Sequence, residues 1–133
     1  MKKILVAYDG DEPARRALDA AADLAQAFEA ELAVISVTPW QRDRFPVDIW
    51  DDAGSHEKAL AAAAAALRER GLSADLLAPS GDPAATIEEV ARAGGYDTIV
   101  VGSRDLGPVR RLIEGSVSER VATSAEATVV IAR

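Results

Sequence analysis

The residues best suited to chemistry lie in one stretch: Gly102-Ser103-Arg104-Asp105-Leu106-Gly107-Pro108-Val109-Arg110-Arg111-Leu112-Ile113-Glu114-Gly115-Ser116-Val117-Ser118. Glycines let backbone amides approach an anion closely. Ser116 and Ser118 offer hydroxyl donors, and Arg104, Arg110 and Arg111 bring positive charge. A helix beginning near Ser116 adds free N–H groups and a favourable dipole. The chemistry implied is the holding of phosphate. The stretch is not a Walker P-loop: Gly102 and Gly107 have the right separation, but Pro108-Val109 stand where Lys-Ser/Thr is required. Nor does the chain hold a G-x-G-x-x-G. On spacing alone two readings stay open, a phosphate-binding loop and a plain strand-to-helix connection.

Three other features compete for a role. Asp9, in Ala7-Tyr8-Asp9-Gly10, suits a ligand partner, a catalytic carboxylate or a helix cap, and Asp11 competes for the cap. His56 is the only histidine. Its neighbour Ser55 does not face it on a helix, so a Ser–His catalytic pair is not indicated and a surface position near a helix start is expected. One histidine and no cysteine do not make a zinc site. Trp40, Phe45 and Trp50 suit a lid over a base, a partner-binding patch or a plug at the end of the core.

These residues need elements to position them, and the sequence alternates strand and helix throughout. Short apolar runs at 4–8, 32–37, 76–78, 98–101 and 128–132 predict five strands. Asp11, Glu12 and Pro13 start a first helix, with Ala14, Ala17, Leu18, Ala21, Ala25 and Phe28 at helical spacing. A second helix is predicted over about 55–70, with Leu60, Ala63, Ala64 and Leu67 on one face and Gly71 just beyond its end. Gly81-Asp82-Pro83 opens a third, with Ile87, Val90 and Ala91 as its stripe, and Gly94-Gly95 closes it. A last helix is expected over about 116–124, and 39–54 reads as a long loop. This order predicts a single α/β domain, an open parallel sheet covered on both faces, with right-handed crossovers.

Composition narrows the partners. Of 133 residues, 49% are hydrophobic, too many for a disordered chain. The net charge of −7 argues against a general nucleic-acid binder or an anionic-membrane binder, since both partners would repel it. The absence of cysteine suits a reducing compartment. The apolar run after Lys2-Lys3 stops at Asp9, too short for a signal sequence, and no stretch approaches the ~20 residues of a membrane span. A cytoplasmic location is the expectation.

The stretch from Gly102 to Ser118 resembles the nucleotide-binding signature of the universal stress protein family: Gly, two residues, Gly, nine residues, Gly, then Ser or Thr. Gly102, Gly115 and Ser116 match it. Tyr96 to Val101, Ser118 to Val121, Ala7 to Gly10 and Gly81-Asp82-Pro83 are similar to the family as well. The resemblance spans the chain outside 39–54. It implies a sheet of order 3-2-1-4-5 in these predicted strands. It implies ATP as ligand, with Asp9 on the ribose or adenine edge, Ala7 and Val37 beside the base, and Tyr8 within the binding set. Val101 and Gly102 would support ribose and phosphates, Arg104 would add charge, and Gly115, Ser116, Val117 and Ser118 would hold the phosphates. One departure stands out: Asp105 replaces the second signature glycine. A carboxylate there either turns outward to an arginine, binds a bridging Mg²⁺, or marks a member that has lost ATP. The resemblance further implies a homodimer through the last strand, Thr128 to Ala132. With no Walker lysine and no convincingly placed general base, a regulatory protein with at most slow hydrolysis is expected rather than an enzyme. The alternative is a nucleotide-free dimeric interaction module.

Overall fold

The computed structural model describes residues 1–39, 53–102 and 127–132. Within them the chain runs β1 (Lys3–Ala7), α1 (Glu12–Phe28), β2 (Glu31–Ile35), β3 (Thr38–Pro39), α2 (Ala53–Glu69), β4 (Asp75–Leu77), β5 (Ser80–Gly81), α3 (Pro83–Gly94), β6 (Thr98–Gly102) and β7 (Thr128–Ala132). Five strands form one parallel sheet of order β4-β2-β1-β6-β7. In terms of the five predicted strands this is 3-2-1-4-5, the expected order. The long loop and last helix of the sequence reading, 40–52 and 116–124, lie outside the described residues apart from the loop's two ends.

Local chemistry starts and stops the helices. The Asp11 carboxylate accepts the Ala14 N–H at 2.7 Å, capping α1, and Pro13 sits in its first turn. Asp82 caps α3 in the same way through the Ala85 N–H at 3.0 Å. Gly95 closes α3 with φ +73°, a left-handed conformation that glycine adopts without steric cost. The equivalent position after α1 is Glu29, at φ 53°.

Strand alternation divides the core in two. On one face, Ile4, Val6, Leu32, Val34 and Val100 pack against α1 and α2 through Ala14, Ala17, Ala21, Leu60, Ala63 and Leu67. On the other, Leu5, Ala33, Ile35, Ile99 and Val101 pack against Ala84, Ile87 and Ala91 of α3. Each fully buried Leu, Ile or Val contributes about 1.5–3 kcal/mol. The small alanines of α1 let that helix sit close to the sheet. Phe28, placed by spacing on the apolar stripe, is instead 54% exposed at the last residue of α1.

One short two-stranded ladder adds to the predicted elements. Thr38 and Pro39 pair in parallel with Ser80 and Gly81, so the segment entering the predicted 39–54 loop begins as a strand tied to the entrance of α3. α2 also begins at Ala53, before the predicted Ser55. At the opposite end of the sheet, Asp97 joins three strands. Its carboxylate accepts the amides of Lys2 and Lys3 and the Thr98 hydroxyl, and its carbonyl accepts the Thr128 amide. No described helix is long and apolar enough to cross a membrane.

Candidate functional site

From β1 the chain builds outward to β2 and β4, then crosses to the other side of β1 to lay down β6 and β7. The order therefore reverses between β1 and β6. In open α/β sheets the carboxyl ends of the strands flanking such a reversal are where ligands bind. Ala7, Tyr8, Asp9, Val37, Val101 and Gly102 all lie at these carboxyl ends, on three neighbouring strands.

The pleat sorts them by face. Val37 and Val101 belong to the α3-side core, and Ala7 packs against it, so the three form an apolar wall on that side. Tyr8 points the other way, into the α1–α2 core, with 6% of its surface exposed. Its amide donates to the Ile35 carbonyl at 2.9 Å, extending the β1–β2 ladder by one bond. Tyr8 thus orders the strand exit, and its side chain does not reach the apolar wall.

Asp9 stands at the rim. Its carboxylate accepts the Asp11 N–H at 3.1 Å, and Gly10 between them turns at φ +94°. The side chain is exposed by area, yet the adjacent protein withdraws water from it. That desolvation, with the nearby Asp11 charge, holds the Asp9 carboxyl above the ordinary carboxylate value, against the pull of the Asp11 amide. A carboxylate in this condition favours any ligand that brings hydroxyl donors or positive charge. The competing cap role falls to Asp11 alone.

Gly102 has a steric reason to be glycine. A Cβ built there would lie 2.5 Å from the Pro13 carbonyl oxygen and 2.6 Å from its carbon. The first turn of α1 therefore rests directly on the last residue of β6, just where the chain departs toward Ser103. Arg104, Asp105, Gly115, Ser116, Val117 and Ser118 lie outside the described residues, as do Trp40, Phe45 and Trp50. Among the described residues, no three acidic, histidine or cysteine side chains are grouped as a metal site would need.

His56 corrects the sequence reading. It is not on the surface: it is 8% exposed and its Nδ1 lies 2.5 Å from the Oγ of Ser36, itself 3% exposed. The signal was present in the spacing, since His56, Leu60, Ala63 and Leu67 follow one helical stripe and all are buried. Ser36 carries no such signal, since a serine at a strand exit is uninformative until its partner is known.

The comparisons with known proteins agree with this arrangement. A model of the universal stress protein family matches residues 1–133. A universal stress protein of Thermus aquaticus is 35% identical over 135 residues, covering 99% of this chain and 98% of that protein. The crystal structure of a universal stress protein family member from Burkholderia pseudomallei is 31% identical, with TM-score 0.69 over 98% of this chain and 94% of that one. A universal stress protein from Archaeoglobus fulgidus, solved in complex with dAMP, has the same fold, with TM-score 0.71, 22% identity, and coverage of 100% and 98%. An acidic α/β chain whose sheet order reverses between β1 and β6, and whose relatives match it end to end, belongs to the universal stress protein family.

Proposed function

We propose that the chain is an adenine-nucleotide-binding regulatory protein, with ATP as its ligand. The observation that carries the reading is the convergence of Ala7, Val37 and Val101 on one face of the sheet beside Asp9, at the switch point between β1 and β6. The residues present fit an adenosine. The apolar wall suits a planar base, and the Asp9 carboxylate, held above its ordinary value by desolvation, suits ribose hydroxyl donors. Structural neighbours of the same fold that hold dAMP, cAMP or AMP support an adenine ligand at the level of fold. Gly102, Arg104, Gly115, Ser116, Val117 and Ser118 are proposed to carry the phosphates, and a bound Mg²⁺ would screen Asp105 from them. ATP then acts as a sensed ligand with at most slow turnover, well below the ~10 s⁻¹ of a typical enzyme. The working form is proposed to be a cytoplasmic homodimer.

Calorimetric titration with ATP and Mg²⁺ tests this, beside titrations with dAMP and GTP. Micromolar binding of ATP, weaker for GTP, is the expected result. No binding of any adenine nucleotide overturns it and favours the nucleotide-free interaction module, for which Asp105 is the specific reason. A like-charge contact there costs on the order of 1–4 kcal/mol. Asp105→Gly separates the two: binding gained only in the variant assigns the loss to Asp105, and equal binding in both clears it.

A further inference from the structure

We infer that the buried Ser36–His56 pair positions the base-facing wall of the site, although it lies on the opposite face of the sheet. The inference rests on the adenine-nucleotide reading above. Ser36 and Val37 are consecutive residues at the exit of β2, and consecutive residues of an extended chain point to opposite faces. Val37 joins the α3-side core. Ser36 turns toward α2, where its Oγ meets Nδ1 of His56 at 2.5 Å. Holding one side chain on one face fixes the direction of the next on the other.

The backbone around the pair is already held. The Ser36 amide donates to the Leu77 carbonyl at 3.0 Å, and the Thr38 amide to the Pro79 carbonyl at 2.9 Å. The β3–β5 ladder follows at once. These bonds hold the backbone against β4 and β5, and the Ser36–His56 bond adds a side-chain anchor on the α2 side. It also ties Val37 to the first turn of α2, the element that resumes directly after residues 40–52. A buried polar pair in an otherwise apolar layer specifies one arrangement, because misplacing either partner leaves a polar group unsatisfied. His56 is therefore a positioning residue for the nucleotide.

The test uses the full chain and three variants: Ser36→Ala, His56→Ala and His56→Asn. The asparagine amide sits close to where Nδ1 was and can renew the bond to Ser36. ATP and inorganic tripolyphosphate, which has no base, are titrated against each folded variant. The expected result is about tenfold weaker ATP binding in Ser36→Ala and His56→Ala, the scale of one buried hydrogen bond. Tripolyphosphate binding should be unchanged, and His56→Asn should recover most of the ATP affinity. A purely structural pair would lower thermal stability and leave the ratio of the two affinities as in the parent, which overturns the inference. If His56→Ala does not fold, Ser36→Ala carries the comparison, since it removes the same bond and leaves the imidazole in place. Absence of ATP binding in the parent marks failure of the functional reading itself. The Val37 methyl resonances of the free protein then decide: shifts in Ser36→Ala support positioning, and unmoved methyls overturn it.

Discussion

Asp9 illustrates how a proposed binding residue differs from a structural one in the same turn. Asp11 accepts the Ala14 amide and caps α1, so its removal costs stability, about 1 kcal/mol for a typical N-cap. Asp9 instead carries a carboxylate raised above its ordinary value by desolvation and by Asp11. A group so perturbed is ionised at neutral pH at the expense of the fold. Asp9→Asn should therefore leave stability at pH 7 unchanged or higher, while ATP binding weakens roughly tenfold, the scale of a hydrogen bond to a charged group. Thermal melts beside calorimetry check both halves; a variant that loses stability and keeps its affinity contradicts the assignment. Gly102 behaves in the opposite way. Its missing Cβ would strike the Pro13 backbone, which has no flexible end to move aside. Gly102→Ala should cost about 1–3 kcal/mol, the range of an overpacked core, measured by urea unfolding. The first glycine of the family signature is thus required here by the seating of α1, whatever it also offers a phosphate.

Among the elements, the two ends of the sheet are held by different means. Among the described residues, the carboxyl end is left to turns and a short ladder, and it is there that the nucleotide is proposed to bind. The amino end is locked by Asp97. Burial pushes its carboxyl up, but the amides of Lys2 and Lys3 and the Thr98 hydroxyl together pull it below the ordinary carboxylate value. A carboxyl lowered on folding stabilises the native state above its unfolded value of 3.8, and that contribution fades as pH falls through its lower folded value. The stability advantage of the parent over Asp97→Asn should then be greatest above about pH 5 and shrink steadily as the pH drops below 4, followed by urea unfolding across pH. A constant difference would assign Asp97 a role independent of charge. The elements were legible where the signal was local. Asp11-Glu12-Pro13 and Gly81-Asp82-Pro83 mark helix starts because capping is a contact within one turn. The β3–β5 ladder was not legible, since Thr38-Pro39 and Ser80-Gly81 are two-residue strands whose partners lie far apart in sequence.

For the whole molecule, the sheet as described has two outer strands of unequal character. β4 is three residues long and carries Asp75. β7 is five residues long, pairs only with β6 among the described strands, and exposes Ile131. A long apolar edge is the better template for a second chain, which is why β7 is proposed as the dimer seam. Ile131→Lys places a charge on that strand at a position already exposed. Light scattering coupled to size exclusion should find a dimer in the parent and a monomer in the variant, with the circular dichroism of the fold retained. A parent that runs as a monomer removes the seam.

The sequence by itself determined the alternation of strands and helices, their caps and the apolar faces, because these are set by contacts within a few residues and by the periods 2 and 3.6. With the family resemblance it also pointed to the strand order and to Asp9, Val37 and Val101 as members of one site. Only the tertiary structure decided which face each residue serves. It sent Tyr8 into the α1–α2 core, pressed Gly102 against Pro13, and carried His56 inward to Ser36. The physical reason is that a side chain's partner across the sheet is chosen by register and helix seating, and both are settled by segments tens of residues away.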